Sequence, residues 1–388
     1  MKILHTSDWH LGKKLEGQKR IDEQSKFLNK LNSIVIEEKP DLILIAGDIF
    51  DTPNPSAEAE ALFFKTIKDL SHNGKFPTII IPGNHDNPQR LSAISPLAHD
   101  FGIIIYQKPF EIIPTGDYGN AKITSSGPGY INININSKEL FLYSLPYPNE
   151  TTLNETFKEG EFSKRIKNIF YEGLLDRNPS IPAVIMTHIF LCGSSKAEDE
   201  KNIELGGAMA VHPSDLPDVD YIALGHVHKP MAFKEKRAYY CGSPIEYRIT
   251  ENKYDKKILI ATINGNLDTE VKDIFLENYK PIKEYTASSI DEAINLSEIL
   301  KTQEEWIYLK IKTDKYLTVS ELKKIKENKN ILEIIPIIEK NITKTKEINF
   351  DNPQNILEAF EEFYKTFDNI QPSKEVTNLF TKLISEEN

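Results

Sequence analysis

Two cysteines in 388 residues leave this chain without the material for a disulfide framework. Cys192 and Cys241 read as free thiols, the state expected in a reducing cytoplasm, and no CxxC pair points to a thiolate zinc site. Long hydrophobic runs are missing as well. No stretch approaches the ~18 apolar residues of a membrane helix, so no membrane span is expected. The opening Met1-Lys2-Ile3-Leu4-His5-Thr6 reads directly as a buried strand, with neither a charged leader region nor a cleavage site, so no leader is expected. A GxxxxGK[ST] loop is absent too, which excludes P-loop ATP binding by this chain. Positive charge is the last shortage: 47 Lys and Arg stand against 58 Asp and Glu, a net −11. Proteins that grip duplex DNA unaided are usually basic. Any contact with nucleic acid therefore needs a local basic patch, a partner chain or bound metal.

What is present, with 39% hydrophobic residues, is enough for a substantial core. Up to about residue 265, short apolar runs alternate with helical patterns, the signature of an α/β layered domain. Five runs matter most: Lys2–Ser7, Asp41–Ala46, Thr78–Pro82, Ala183–Thr187 and Tyr221–Leu224. Helices are expected over Ile21–Glu38, where Phe27, Leu31, Ile34 and Val35 share a stripe, and over Ala57–Asn73. Tyr106–Pro148, rich in Gly, Pro, Asn and alternating Ile, reads as antiparallel strands in the same core, and Lys256–Ile263 and Glu270–Phe275 as two late strands.

The pattern changes near Asn278–Pro281. A small α+β unit follows, with helices at Ile290–Leu300 and Val319–Glu327 and strands at Trp306–Lys312 and Ile331–Ile338. The expected division is therefore 1–277, 278–340 and 341–388. A polar linker, Lys340–Glu347, leads to a tail in which Asp351-Asn352-Pro353 is a good helix start. Ile356, Leu357, Phe360, Phe363, Tyr364 and Phe367 then share one helical face. Pro372 breaks the run, and Val376, Leu379, Phe380, Leu383 and Ile384 form a second stripe. So many aromatics behind a polar linker favour a helical hairpin that docks on another chain over one packed on its own cap.

The chemistry lies where polar residues meet strand ends. The five runs end in Asp8-Trp9-His10, Gly47-Asp48, Gly83-Asn84-His85-Asp86, His188 and Gly225-His226-Val227-His228. Ligands of open α/β sheets bind outside the carboxyl ends of the strands. Asp oxygens, the Asn carbonyl and neutral imidazoles all suit divalent metal, and the glycines before Asp48, Asn84 and His226 permit tight turns there. Asp8 and His10, like His226 and His228, reach one ion only where the strand is already bending out.

These residues in this order resemble the calcineurin-like metallophosphoesterases. The flanks Thr6–Gly12, Gly47–Asp51, Pro213–Leu216 and Gly242-Ser243-Pro244 are similar to the nuclease subunits of SbcCD-type repair complexes. That resemblance covers essentially the whole chain. It implies a two-sheet β-sandwich flanked by helices, with an α+β cap and a C-terminal helical hairpin that grips an SbcC-type ATPase. It also implies a homodimer and a two-metal nuclease: a 3′-to-5′ exonuclease on duplex ends and an endonuclease on single strands or hairpins. By the same resemblance Asp8, His10, Asp48 and His228 hold one ion. Asp48, Asn84, His188 and His226 hold the other, and Asp48 bridges. His85 contacts the phosphate and assists the leaving oxygen. Mn²⁺ is the expected ion, and Mg²⁺, Zn²⁺ or Fe²⁺ also suit these donors. Asp51 stands where archaeal and eukaryotic relatives carry a histidine, which puts that phosphate contact in question. Asp86 either orients His85 or caps the following turn.

The alternative is a phosphatase or small-molecule phosphodiesterase on the same fold. Protein phosphatases of this superfamily carry Asp-Arg-Gly after the second motif and Gly-Asn-His-Glu as the third; here Asp51-Thr52-Pro53 and Gly-Asn-His-Asp argue against them. A scaffold that has lost catalysis is disfavoured because no ligand is missing. His5, His72, His99 and His212 are read as structural or surface groups.

Overall fold

The structure, a computed structural model, describes residues 1–158, 160–194, 209–338, 357, 359–361, 372 and 374–386. The chain forms two compact units, Met1–Ile337 and Ile338–Asn388. Two sheets carry the first. One runs in the order Asp268–Phe275, Lys257–Gly265, Lys2–Thr6, Leu42–Ala46, Thr78–Ile81 and Ile103–Ile105. Its last four strands are parallel, and the two late strands join antiparallel. The other sheet has eight strands. Lys138–Leu145, Ala183–His188, Tyr221–Gly225 and Ala238–Tyr240 run parallel through its middle.

Strand parity explains why two sheets stack with helices outside. On the first sheet Ile3, Leu42, Leu44, Ile79 and Ile81 point one way. They meet Ile131, Ile133, Ile135, Leu142, Val184 and Met186 of the second sheet in a shared core. Leu4, Ile43, Ile45 and Ile80 point the other way and are covered by Phe27, Leu31 and Phe63 of the helices Ile21–Glu38 and Ala57–Ser71. On the far side Phe141, Ile185 and Ile222 pack under Phe162, Ile166 and Phe170 of the helix Glu161–Gly173. Burying each of these large side chains contributes roughly 1.5–3 kcal/mol. Every strand that ends at the site is therefore buried on both faces. Only its terminus is available for polar residues.

The small unit read near residue 280 has one strand more than its pattern suggested. Ile282–Ala287 pairs parallel with Trp306–Thr313 from Ile282↔Trp306 onward, and Ile331–Ile338 completes a three-stranded sheet. The turn-like Asn278–Pro281 masked that strand, and its short alternation IKEYTA carried little weight beside it. The helices Ile290–Ile299 and Val319–Ile325 close over Ile307, Leu309 and Ile311 on one face. On the other face Trp306, Tyr308 and Leu332 pack with Leu15.

A buried polar network secures that second face. Arg20, 1% exposed, donates through Nε and Nη2 to Glu23 at 2.6 and 2.5 Å and through Nη1 to the Glu246 carbonyl at 2.7 Å. Trp306 Nε1 donates to Glu23 at 2.8 Å, and the Ile282 N–H donates to the Glu246 carboxylate at 2.9 Å.

In the second unit, the helix Lys374–Glu386 carries Val376, Leu379 and Phe380, and Phe360 stacks on Phe380 with ring centroids 3.9 Å apart. The linker Lys340–Glu347, the start Asp351–Pro353, and Ile356, Phe363, Tyr364 and Phe367 lie outside the described residues. Among the described residues no helix is long and apolar enough to cross a membrane.

Removing one member of a buried ion pair strands the other. Arg20→Ala is expected to destabilise the protein by about 3–5 kcal/mol, read as a lower urea midpoint. Lys19→Ala, which removes an exposed partner of Glu58, leaves that midpoint in place.

Candidate metal centre

All five strand ends meet at one rim, and the backbone there is unusual. Asp8, His10, Asp48 and His226 adopt φ of 55°, 44°, 51° and 104°, a region non-glycine residues seldom enter. Such backbone persists only where the surroundings enforce it. Here Asp8 N–H donates to the Gly47 carbonyl at 3.0 Å, His10 N–H to Asp48 at 2.9 Å and Leu11 N–H to Ile49 at 2.8 Å, so the first two strand ends hold each other. Two glycines make the approach sterically feasible. A Cβ on Gly83 would sit 2.1 Å from Asp48 Oδ1, and one on Gly225 would sit 1.8 Å from the Ala46 carbonyl oxygen.

The donor atoms converge in a basin. Those of Asp8, His10 and His228 lie within 4.8 Å of one another, as do those of Asp8, Asp48 and His188. Asp48 Oδ2 stands between two imidazoles, 3.5 Å from His10 Nε2 and 3.4 Å from His188 Nε2. Asn84 Oδ1 lies 3.1 Å from His188 Nε2 and 2.9 Å from His226 Nδ1. His10 Nε2 faces His228 Nε2 at 3.0 Å. All seven residues read as metal donors from the sequence are thus brought together.

Groups behind the imidazoles aim them. His188 Nδ1–H donates to the Ala46 carbonyl at 2.8 Å, which turns Nε2 into the basin. His228 Nδ1 pairs with Glu251 at 2.9 Å, with the same result. Carboxylate or carbonyl partners of this kind fix the tautomer of metal-ligating histidines.

The electrostatics ask for a cation. Burial raises the Asp8 carboxyl, and Asp48 adds to the rise while His188 and His228 oppose it. Burial also works to raise Asp48, but His188, His10 and His85 outweigh it and hold that carboxyl well below its usual range. For His188 burial opposes protonation, and Asp48 overrides it, lifting the imidazole to about 9. His10 goes the other way, kept neutral chiefly by burial. A proton on His188 answers part of the demand of two buried carboxylates. His10 Nδ1 is buried with no hydrogen-bond partner. Hard carboxylate oxygens, an amide oxygen and imidazole lone pairs aimed at common points are the donor set of Mn²⁺, Fe²⁺ or Zn²⁺. The residues fit divalent metal.

Three residues flank the basin. His85 is partly exposed; its Nδ1–H donates to the Asp51 carbonyl at 2.8 Å, and its ring meets His10 edge-on at 4.8 Å. The Asp51 carboxylate takes Lys13 Nζ at 2.7 Å and lies 3.6 Å from His10 Nδ1. The Asp86 carboxylate accepts from Gly83, Ile49 and Phe50 N–H at 2.8, 3.1 and 2.9 Å. It braces its own turn and ties it to the loop after Asp48. Burial, with Asp48 adding, lifts Asp86 to about 6 in spite of those bonds.

The motifs did not disclose the support behind His228. Glu251 is fully buried, bonded to Ser243 at 3.1 Å and ion-paired with Lys256, whose Nζ donates to Ser243 at 2.7 Å. Tyr247 is also buried; its hydroxyl bonds the Trp9 carbonyl, and its ring stands 5.6 Å from His10 and 5.9 Å from His228. The only signal nearby was Gly242-Ser243-Pro244. Of the histidines read as structural, His5 is buried against the Tyr221 hydroxyl at 3.0 Å and His72 pairs with Asn32 at 3.0 Å. Cys192 and Cys241 are free thiols.

Comparison with known proteins agrees with this geometry. The family model described as calcineurin-like phosphoesterase matches residues 1–230. The SbcD protein of the SbcCD nuclease from Bacillus subtilis (strain 168) is 34% identical over 399 aligned positions, spanning 99% of this chain and 98% of that one.

A methyl group at residue 83 would collide with both the carboxylate and the backbone nitrogen of Asp48 and displace that residue from the basin. Gly83→Ala is expected to weaken Mn²⁺ binding by about 10-fold or more, measured by isothermal titration calorimetry, with the far-UV circular dichroism unchanged.

Proposed function

The chain belongs to the calcineurin-like phosphoesterase family, and from that premise we propose that it is a metal-dependent nuclease of an SbcCD-type complex, hydrolysing phosphodiesters of DNA. The observation that carries the reading is Asp48 Oδ2 held between His10 and His188, with Asp8, Asn84, His226 and His228 around it. In that arrangement Asp8, His10, Asp48 and His228 would hold one ion, and Asp48, Asn84, His188 and His226 would hold a second. Bound there, the ions supply Lewis acidity and an activated water at neutral pH.

The chain's own residues supply positioning and a proton. His85 keeps its Nδ1–H on the Asp51 carbonyl, so Nε2 is the atom that faces substrate. In its protonated form that nitrogen donates to a phosphate oxygen and then gives its proton to the leaving 3′ oxygen. Asp86 sets the loop that presents His85, and Glu251 and the Ala46 carbonyl keep His228 and His188 turned inward.

The finer reading follows the resemblance: 3′-to-5′ exonuclease action on duplex ends and endonuclease action on single strands or hairpins, with Mn²⁺ as the resident ion, in the cytoplasm. The tail docks an SbcC-type ATPase, and the working form is a homodimer. Support for docking is the apolar stripe of the helix Lys374–Glu386, on which Leu379 is 60% exposed.

The purified chain with Mn²⁺ is expected to release nucleotides from an end-labelled duplex, and EDTA to stop it. His85→Gln should lower the rate by about 10²–10⁴-fold while retaining its Mn²⁺. Turnover of para-nitrophenyl phosphate alone, with the duplex intact, would move the protein to the phosphatase branch.

A further inference from the structure

Lys13 stands beside the basin with no part in the chemistry assigned so far. It lies three residues past His10, in a turn closed by its own N–H donating to the His10 carbonyl at 3.0 Å. Its ammonium is held 2.7 Å from Asp51 Oδ1, with the Tyr247 ring 5.8 Å away. Both members of the pair are partly open to solvent, at 20 and 23%. A partly exposed ion pair adds only modestly to stability, and this one sits at the rim of the basin. The four-carbon stem of an unanchored lysine samples many rotamers; here Asp51 holds it in one place.

The anchor itself is informative. Asp51 offers its carboxylate to Lys13 and its carbonyl to His85 Nδ1. One residue thus presents an ammonium and an imidazole on the same rim, and the Asp51 oxygen that takes Lys13 also lies 3.6 Å from His10 Nδ1. Asp51 also lines a neighbouring cleft of about 170 Å³, whose other charged wall residues are Lys14, Arg20 and the paired Lys19 and Glu58. An ammonium has three N–H donors. Asp51 takes one, which leaves donors for an anion at the rim beside His85. In a chain of net charge −11, a cation held at that rim is placed for a phosphate.

We propose that Lys13, presented by Asp51 beside His85, contacts a non-bridging oxygen of the scissile phosphodiester. The proposal rests on the nuclease reading and adds a substrate contact to it. Negative charge on the equatorial oxygens must be stabilised as the phosphoryl group is transferred. A contact that strengthens there acts more on kcat than on KM.

The test uses the full chain with Mn²⁺ and two diesters, a duplex and bis(4-nitrophenyl) phosphate. Lys13→Gln is expected to lower kcat on both by about 10- to 100-fold, somewhat less than the ~10²–10³ lost with a buried oxyanion donor. KM should change less, and Mn²⁺ stoichiometry should not change. Lys13→Arg, which keeps the charge and the Asp51 pairing, should recover most of the rate. A second readout needs no turnover. In EDTA, the dependence of log K on log salt for a thymidine oligonucleotide should flatten by about 0.7 in Lys13→Gln, the value for one lost contact to a single strand. Full activity and an unchanged salt slope in Lys13→Gln would overturn the contact while leaving the nuclease reading intact. Loss of rate together with loss of Mn²⁺, or equal loss in the Gln and Arg variants, would overturn it as well. An unaltered chain that cuts neither diester would remove both.

Discussion

A carboxylate pair buried almost completely, Asp8 and Asp48, is the constraint around which the rest of this protein is arranged. Ionised groups in a dry interior cost several kcal/mol each unless opposite charge and hydrogen bonds answer them. Here the answer comes from histidines and backbone, with His188 and His10 on one oxygen of Asp48 and the His85 N–H on the other. Asp8 takes the His226 N–H and the Ser7 hydroxyl. Those partners arrive only if five strands stop at one level. That requires the parallel order Lys2–Thr6, Leu42–Ala46, Thr78–Ile81 in one sheet and Ala183–His188, Tyr221–Gly225 in the other. Close approach then requires Gly83 and Gly225. The inter-sheet core of isoleucines and leucines fixes the spacing of the two sheets, and so fixes how near His188 and Asp48 come.

The same logic explains what could be read from the residues in advance. A strand buried on both faces is a short apolar run, and a ligand at its end is the first polar residue after it. Asp8, Asp48, Asn84, His188 and His226 are all of that kind, so their convergence followed from the pattern and the rule for open sheets. The helix Ile21–Glu38 was legible to its termini because its stripe is long and regular. Two other classes of feature were hidden. Glu251 and Tyr247 reach the basin from an irregular stretch and a short 3₁₀ turn, Ile249–Lys253, where no periodicity marks which side chain points inward. The strand Ile282–Ala287 was lost beside Pro281, because five or six residues of weak alternation do not outweigh a turn signal. The division of roles at Asp86 was open for a different reason. A carboxylate two residues past Asn84 is equally placed to face His85 or its own backbone. Only the folded loop shows three backbone N–H groups on it.

The buried network under the cap sheet bears on the site as well. Trp306 and Ile282, from two strands of that sheet, end on Glu23 and Glu246, and Arg20 joins those two. Tyr247 is next to Glu246 in the chain, and its ring lies 6.0 Å from the Arg20 guanidinium on one side and 5.6 Å from His10 on the other. Each polar group in this path has a partner that is itself buried. Such a network tolerates few arrangements, since any slip leaves a charge unpaired in the core. The cap sheet is thus held to one register over the body that carries the basin. Apolar contact through Leu15, Trp306 and Leu332 alone would allow sliding at little cost.

Net acidity and a polyanionic substrate are compatible once charge is counted by location. The surplus of −11 is a property of the whole surface. At the rim, Lys13 and His85 are both held by Asp51, and the buried carboxylates Asp8 and Asp48 are answered by imidazoles and backbone N–H groups rather than left to repel. Long-range attraction in salt fades within about 8 Å at physiological ionic strength, so remote surface acids weigh little at the entrance. On the proposed reading, the broad electrostatic grip on a duplex falls to a partner rather than to this chain. That division fits a catalytic subunit that works on DNA delivered to it.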